Sequence, residues 1–378
     1  MTIKKVKKIL YMGCYLEDYN RNFMILNGLR KNGVAIYEYN VASHSVIKNI
    51  KFFLKNFKKL ISQNFDLILF YSEAYIQFYI AKILALIMRI PLVHDIFISK
   101  LQTIYDDRKQ FRKKKIPKTL FRIVLYSIDL IECTFANYII LDTYSHIKFF
   151  HEKFKVPLRK FRKVYIGARE DIFSPMKKDK LIDNKYIVGF WGTYIPLHGI
   201  DNIIKAAKLL ENDKRIKFIL KGKGQLYKEM RHLAEELRVN NIEYITEILP
   251  WDKLRILLSQ IDIGLGIFGE GNKPIQVIPN KIFEGIAMKI PMITSKSPAI
   301  QELFTDYENI ILCERSNPES LAKAILILID NEKLREKIRE NAYEIFLKKC
   351  SIDAIGKEIH KILNNILIKE NRSTVKAK

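Results

Sequence analysis

The chain has 378 residues and a mass of 44.5 kDa, with 48% apolar and 28% charged residues. That balance excludes a disordered tail or a collagen, and the length predicts two domains of roughly 150–200 residues each. Lys and Arg number 65 against 41 Asp and Glu, a net charge of +24, which points to an anionic partner: nucleic acid, an acidic membrane surface or a phosphorylated substrate.

Residues 1–20 have a basic head but too few apolar positions before Glu17 and Asp18 for a secretory signal, so they read as a first strand. Strands are predicted at 6–13, 34–40, 66–72, 90–95, 137–142 and 163–167. Helical periods fall between them at 21–32, 46–63, 74–89, 118–135 and 143–154. The greasiest stretch, 74–93, is broken by Lys82 and Arg89 and falls short of the ~20 residues that cross a bilayer. A buried helix followed by a strand is predicted there, and no transmembrane segment.

A polar stretch at 168–184 reads as a linker. Beyond it, strands are predicted at 185–192, 216–222, 242–245, 261–268, 290–295 and 309–313. Helices are predicted at 199–210, 224–238, 250–259, 280–288, 317–329, 331–347 and 352–368, with a frayed tail at 369–378. Strands alternating with helices build βαβ units on parallel sheets, so the expectation is two doubly wound α/β domains. We divide the chain into 1–174, 175–350 and a C-terminal helix in 351–378 that packs back toward the first domain. Cys14, Cys133, Cys313 and Cys350 contain no CxxC pair and read as reduced thiols of a cytoplasmic protein.

The charge is uneven. Residues 1–174 hold 31 basic and 14 acidic residues, a net of +17. The excess gathers at 48–60, 108–122 and 153–163, where Lys and Arg alternate with Phe and Leu. Such segments suit an anionic membrane surface. Solvated faces are the plain alternative. Nucleic acid is disfavoured, because no helix-turn-helix, aromatic RNA-binding pattern or zinc module accompanies the charge.

The first strand ends in Gly13-Cys14-Tyr15, without GxGxxG, and no Walker GxxxxGK[ST] occurs, which argues against dehydrogenases and P-loop enzymes. Two later turns are compatible with phosphate: 192–199 and 221–225, each carrying glycines from a strand into a helix. Residues 267–304 contain a Gly-rich loop, Asn280 as a candidate helix cap and Glu284 in the following first turn. Glu284 there could bind the hydroxyls of a ribose, or could simply be a residue of a capped first turn.

The stretch NKIFEGIAMKIPMITS (280–295) resembles the retaining family-four glycosyltransferases of GT-B fold, in which two Rossmann-like domains face across a cleft. Their signature is two Glu separated by seven residues. Glu284 takes the second position and Gln276 the first, a departure that keeps hydrogen bonding but loses charge. IPNK before the helix resembles a branch found in surface-polysaccharide assembly. The segment 192–210 resembles one whose Arg and Lys hold the donor diphosphate. Here Thr193 and His198 stand in those places, leaving Lys273, Lys281, Lys221 or Lys223 as substitutes. Residues 221–226 and VHD at 93–95 resemble further landmarks.

The resemblance implies a hexosyltransferase-type enzyme that moves a sugar from a nucleoside-diphosphate sugar to a surface-glycan acceptor, lipid-linked, with retention. It implies no metal and no cofactor beyond the nucleotide sugar. The donor site would use Glu284, Gln276, Lys273, Asn280, Lys281, Gly192, Thr193, His198 and Lys221. His94 and Asp95 would be catalytic, and Gly13 and Tyr15 would form an acceptor-side loop. The enzyme would sit peripherally on the inner face of the cytoplasmic membrane. Rival readings are a nucleotide-sugar epimerase of the same fold and a non-catalytic binder of membrane or nucleic acid.

Overall fold

The computed structural model describes residues 5–41, 45–71, 75–109, 117–176 and 185–376. Their contacts divide the chain into two units. One is Met1–Ile166 with Ile352–Lys378, and the other is Gly167–Ser351. The boundary thus lies ahead of 174.

The first unit runs β1 (Lys8–Gly13), α1 (Asn20–Lys31), β2 (Ala35–Asn40), α2 (Val46–Ile61), β3 (Leu67–Phe70), α3 (Tyr75–Met88) and β4 (Leu92–Asp95). A π-helical segment (Leu101–Asp107) follows, then α4 (Lys118–Phe135), β5 (Tyr138–Leu141), α5 (Tyr144–Phe154) and β6 (Phe161–Lys163). The strands pair in parallel in the order β2-β1-β3-β4-β5-β6, with Ile9 opposite Leu67 and Phe70 opposite His94. β3 and β4 are buried at every position, as expected of parallel strands covered on both faces. Right-handed crossovers put α2, α3, α4 and α5 on one face. The opposite face carries α1, against which α13 (Ile352–Lys376) packs.

The second unit runs β7 (Tyr186–Trp191), α6 (Ile200–Leu209), β8 (Ile216–Lys221), α7 (Tyr227–Glu236), β9 (Ile242–Ile245), α8 (Trp251–Ser259) and β10 (Ile263–Leu265). It continues through α9 (Asn280–Ala287), β11 (Met292–Ser295), α10 (Pro298–Gln301), β12 (Ile311–Cys313), α11 (Pro318–Asp330) and α12 (Glu332–Ile345). Its parallel sheet has the order β12-β11-β10-β7-β8-β9, a Rossmann order. Asn317 and Asn331 cap α11 and α12 by accepting from Ser320 N and Leu334 N at 2.8 and 2.9 Å.

Three expectations are corrected, and one element was not expected. The strand predicted at 163–167 is Phe161–Lys163, because the Val164 and Tyr165 carbonyls accept from the Arg21 guanidinium instead of a neighbouring strand. The first part of the predicted linker is folded into the second unit, with Ile172 and Phe173 buried and Phe173 edge-on to Trp251; positions 177–184 lie outside the described residues. The tail continues α13 to Lys376. The π-helical segment was not anticipated. It begins where Asp129 accepts from Ser99 Oγ and from the Lys100 and Leu101 amides at 2.6–3.0 Å. No helix among the described residues is long and apolar enough to cross a membrane.

Candidate functional site

In the second sheet the order of connection reverses between β7 and β10, and ligands of such sheets bind outside the carboxyl ends of the strands at that point. Trp191 ends β7 and Lys221 ends β8. The turn after β7 is tight. Gly222, at φ +138°, lies so close to it that an added Cβ would stand 1.9 Å from the Gly192 carbonyl oxygen. The 221–225 glycines therefore serve first to let two turns touch, joined by Gly192 N–H to the Lys221 carbonyl at 3.0 Å and Tyr194 N–H to the Lys223 carbonyl at 3.2 Å.

Helix α9 brings charge to this edge. Its cap position is Pro279, without a side-chain cap bond, and Asn280 is its first residue. Glu284 thus lies one turn inside the helix rather than in the first turn, and it is not a capping residue. Trp191 Nε1 donates to Glu284 Oε2 at 2.7 Å. Burial pushes the Glu284 pKa up, against the Trp191 bond and the charges of Lys281 and Lys221.

Lys281 is 4% exposed, and its Nζ has no hydrogen-bond partner. The ammonium stands 4.1 Å from the centre of the Phe190 ring. A Cβ placed on Gly192 would lie 3.2 Å from Lys281 Nζ and 3.4 Å from His198 Cε1. Burial lowers the Lys281 pKa from 10.5 to about 7, opposed by Glu284. It also lowers that of Lys221, again opposed by Glu284. An unpaired cation held at a strand's carboxyl end favours an incoming anion.

His198 is buried with its ring edge-on to Phe190. Its Nδ1 donates to the Thr193 carbonyl, so Thr193 contributes backbone while its residue stays exposed. Gly192, His198, Lys281, Glu284 and Lys221 are therefore gathered at one place. Lys273 and Gln276 are each 8% exposed in the loop between β10 and α9, where Gln276 N–H meets the Lys273 carbonyl at 3.1 Å.

The first-unit candidates fare differently. Asp95 is not a free carboxylate. Both its oxygens accept from Arg21, at 3.0 and 2.7 Å, and both side chains are shut off from solvent. Arg21 also donates to the Val164 and Tyr165 carbonyls at 2.7 and 3.0 Å. Asp95 is therefore half of a latch between α1, β4 and the end of β6, and not the catalytic carboxylate expected from the sequence. His94 lies within 5.2 Å of the Phe70 and Phe78 ring centres. Its Nδ1 is buried and unpartnered. Burial, helped by the Lys100 charge, holds its pKa well below the ordinary value, so the ring is neutral.

Tyr15 is not a presented loop residue either. It is buried, with its hydroxyl donating to Glu38 at 2.9 Å and its backbone exchanging two hydrogen bonds with Asn40. Gly13 ends β1, its carbonyl accepting from Val41 N at 3.0 Å. Sequence reasoning missed Arg21, Phe190 and Trp191. Arg21 had one signal, a cation inside an otherwise apolar helical face. Among the described residues no group of three or more His, Cys, Asp or Glu could hold a metal.

Residues 173–345 match the family model of glycosyl transferases, group 1. The chain is 25% identical over 353 residues to an uncharacterized glycosyltransferase of Methanocaldococcus jannaschii, covering 90% of this chain and 86% of that one. It is 22% identical over 198 residues, about half of each chain, to the capsular polysaccharide biosynthesis glycosyltransferase CapM of Staphylococcus aureus. In fold it is similar to HepE of Anabaena, solved in complex with UDP. The TM-score is 0.68 at 15% identity, covering 95% of this chain and all of that one. The architecture is GT-B, built from two Rossmann-like units. The match to the group 1 model lies within the second unit, and the chain is a transferase enzyme.

Proposed function

We propose that the enzyme transfers a sugar from a nucleoside-diphosphate sugar to a surface-glycan acceptor, with retention of configuration. The observation that carries this reading is the buried, unpartnered Lys281 ammonium beside Gly192. It supplies the cation that Thr193 and His198 do not. The departing diphosphate would meet Lys281 and Lys221, with the Gly192 turn and the amides around Asn280 donating to its oxygens. Glu284, already oriented by Trp191, would take the ribose hydroxyls. Gln276 and Lys273 would contact the sugar. Charge neutralisation by lysines and amides leaves the reaction no need for a metal.

From the first unit, His94 offers a neutral imidazole with an unsatisfied Nδ1 for an acceptor hydroxyl. CapM is a capsular polysaccharide glycosyltransferase, which supports a surface glycan as product. The acceptor in this reading is lipid-linked, and the enzyme works peripherally at the inner face of the cytoplasmic membrane.

Donor turnover by the wild type against Glu284→Ala and Lys281→Met tests the site. Each variant should lose about 10²-fold in turnover, the usual cost of one well-placed polar group. Full activity in either removes that residue from the site.

A further inference from the structure

Helices α2, α3 and α4 lie side by side on one face of the first unit's sheet, α3 packing against both others. α3 is apolar on its outer side as well as its inner one. Phe78, Ala81, Leu84 and Ala85 are buried beneath it, while Tyr79, Ile83, Leu86 and Ile87 are 43–64% exposed. The exposed four follow i, i+4, i+7, i+8, a single stripe along the helix. A helix that is apolar on both sides, here but for the half-buried Lys82 at the edge of the stripe, belongs in an interior or against an apolar phase. The stripe widens at Leu120, Ile123 and Val124 of α4 and at Ile47, Ile50 and Leu54 of α2, all exposed. More than half of the exposed large apolar side chains among the described residues sit on these three helices.

Charge borders the stripe almost entirely with one sign, Asp106 beside Arg122 being the exception. α2 exposes Lys48, Lys51, Lys55, Lys58 and Lys59, and α4 exposes Lys118 and Arg122. The only carboxylates on the three helices are Asp129 and Glu132, both buried. Glu132 is paired with Lys100 and Asp129 holds the amides after β4.

We propose that the α2–α3–α4 face is the surface by which the enzyme rests on an anionic lipid bilayer. The α3 stripe would sit at the acyl boundary, and the α2 and α4 cations at the phosphate headgroups. This deepens the peripheral-membrane reading above and rests on it, though not on the transferase chemistry. A second copy docked here would set mostly lysines against lysines. Nucleic acid would use the cations but not the stripe.

Sedimentation with vesicles of equimolar phosphatidylglycerol and phosphatidylcholine tests the proposal, with pure phosphatidylcholine as control. The wild type should bind the anionic vesicles at low salt and weakly at high salt. Ile83→Ser/Leu86→Ser should lose about tenfold in partitioning through its lost apolar burial. Lys51→Glu/Lys55→Glu should lose about twentyfold or more. Both pairs are on the surface and should keep the wild-type melting temperature and nucleoside-diphosphate binding. Three results overturn it: no binding of anionic vesicles by the wild type, unchanged binding by the α3 pair, or a wild-type dimer that the α3 pair converts to monomer. Vesicle binding without any nucleoside-diphosphate affinity would instead defeat the donor-site reading and leave this one standing.

Discussion

Lys281 is held in a state that hinders folding and helps binding. Its folded pKa, about 7, lies below its ordinary 10.5. The unfolded chain therefore carries more protons between those values, and this group's contribution to stability rises with pH across that window. Below pH 7 the cost is full, on the order of 5 kcal/mol at 1.4 kcal/mol per unit. Lys281→Met should accordingly melt several degrees higher than the wild type at pH 7, with the gap closing toward pH 10 by scanning calorimetry. The bound anion would restore the charge. Calorimetric binding of a nucleoside-diphosphate sugar at pH 8–9, compared across buffers, should then show uptake of about one proton, with affinity falling as pH rises. Lys281→Met should abolish that uptake.

Arg21 and Asp95 make the opposite case, a buried pair that is fully satisfied. Asp95→Asn leaves the guanidinium uncompensated and should cost about 3–5 kcal/mol in chemical denaturation. Arg21→Met/Asp95→Leu should recover much of that loss, because an apolar pair of similar volume removes the stranded charge.

Among the elements, the pairing of α1 with α13 depends on two glycines. A Cβ on Gly28 would stand 2.6 Å from Gly356 Cα, and one on Gly356 would stand 2.4 Å from the Gly28 carbonyl oxygen. These are backbone atoms and cannot swing aside. Gly356→Ala should therefore destabilise the first unit by about 1–3 kcal/mol, read as a shift in denaturation midpoint at unchanged slope. The alternation of apolar runs and helical periods made nearly every strand and helix legible, because parallel strands buried on both faces have to read that way. What escaped depended on distant partners. Phe161–Lys163 was misplaced because an arginine far away in the chain claims the following carbonyls. The π-helical segment begins on a carboxylate of α4. Gln276 and Glu284 are singled out through the resemblance to a family signature, whereas the Trp191 bond that orients Glu284 spans β7 to α9 and leaves no local trace.

For the molecule as a whole, the two units differ in how they are encoded. The second is continuous, Gly167–Ser351, while the first is assembled from Met1–Ile166 and Ile352–Lys378. Expressed alone, 167–351 should fold cooperatively and bind a nucleoside diphosphate. Residues 1–166 alone should aggregate, and rejoining 352–378 through a flexible linker should restore a cooperative melt. The excess charge has a place in this division, since the helices with a one-signed exposed surface all belong to the first unit.

The late arrival of α13 has a consequence for biosynthesis. As the nascent chain emerges, β1 to β6 are translated early, but the side of α1 that meets α13 stays uncovered until α13 has left the ribosome. Domains ordinarily mature in the order in which they are made. Here the second unit can close first, while the first waits with apolar surface open, making it the natural client of a chaperone. A premature stop anywhere in 352–368 would leave the donor unit whole and its neighbour unfinished, so such a product should be cleared by proteolysis although the residues proposed to bind the donor are all present.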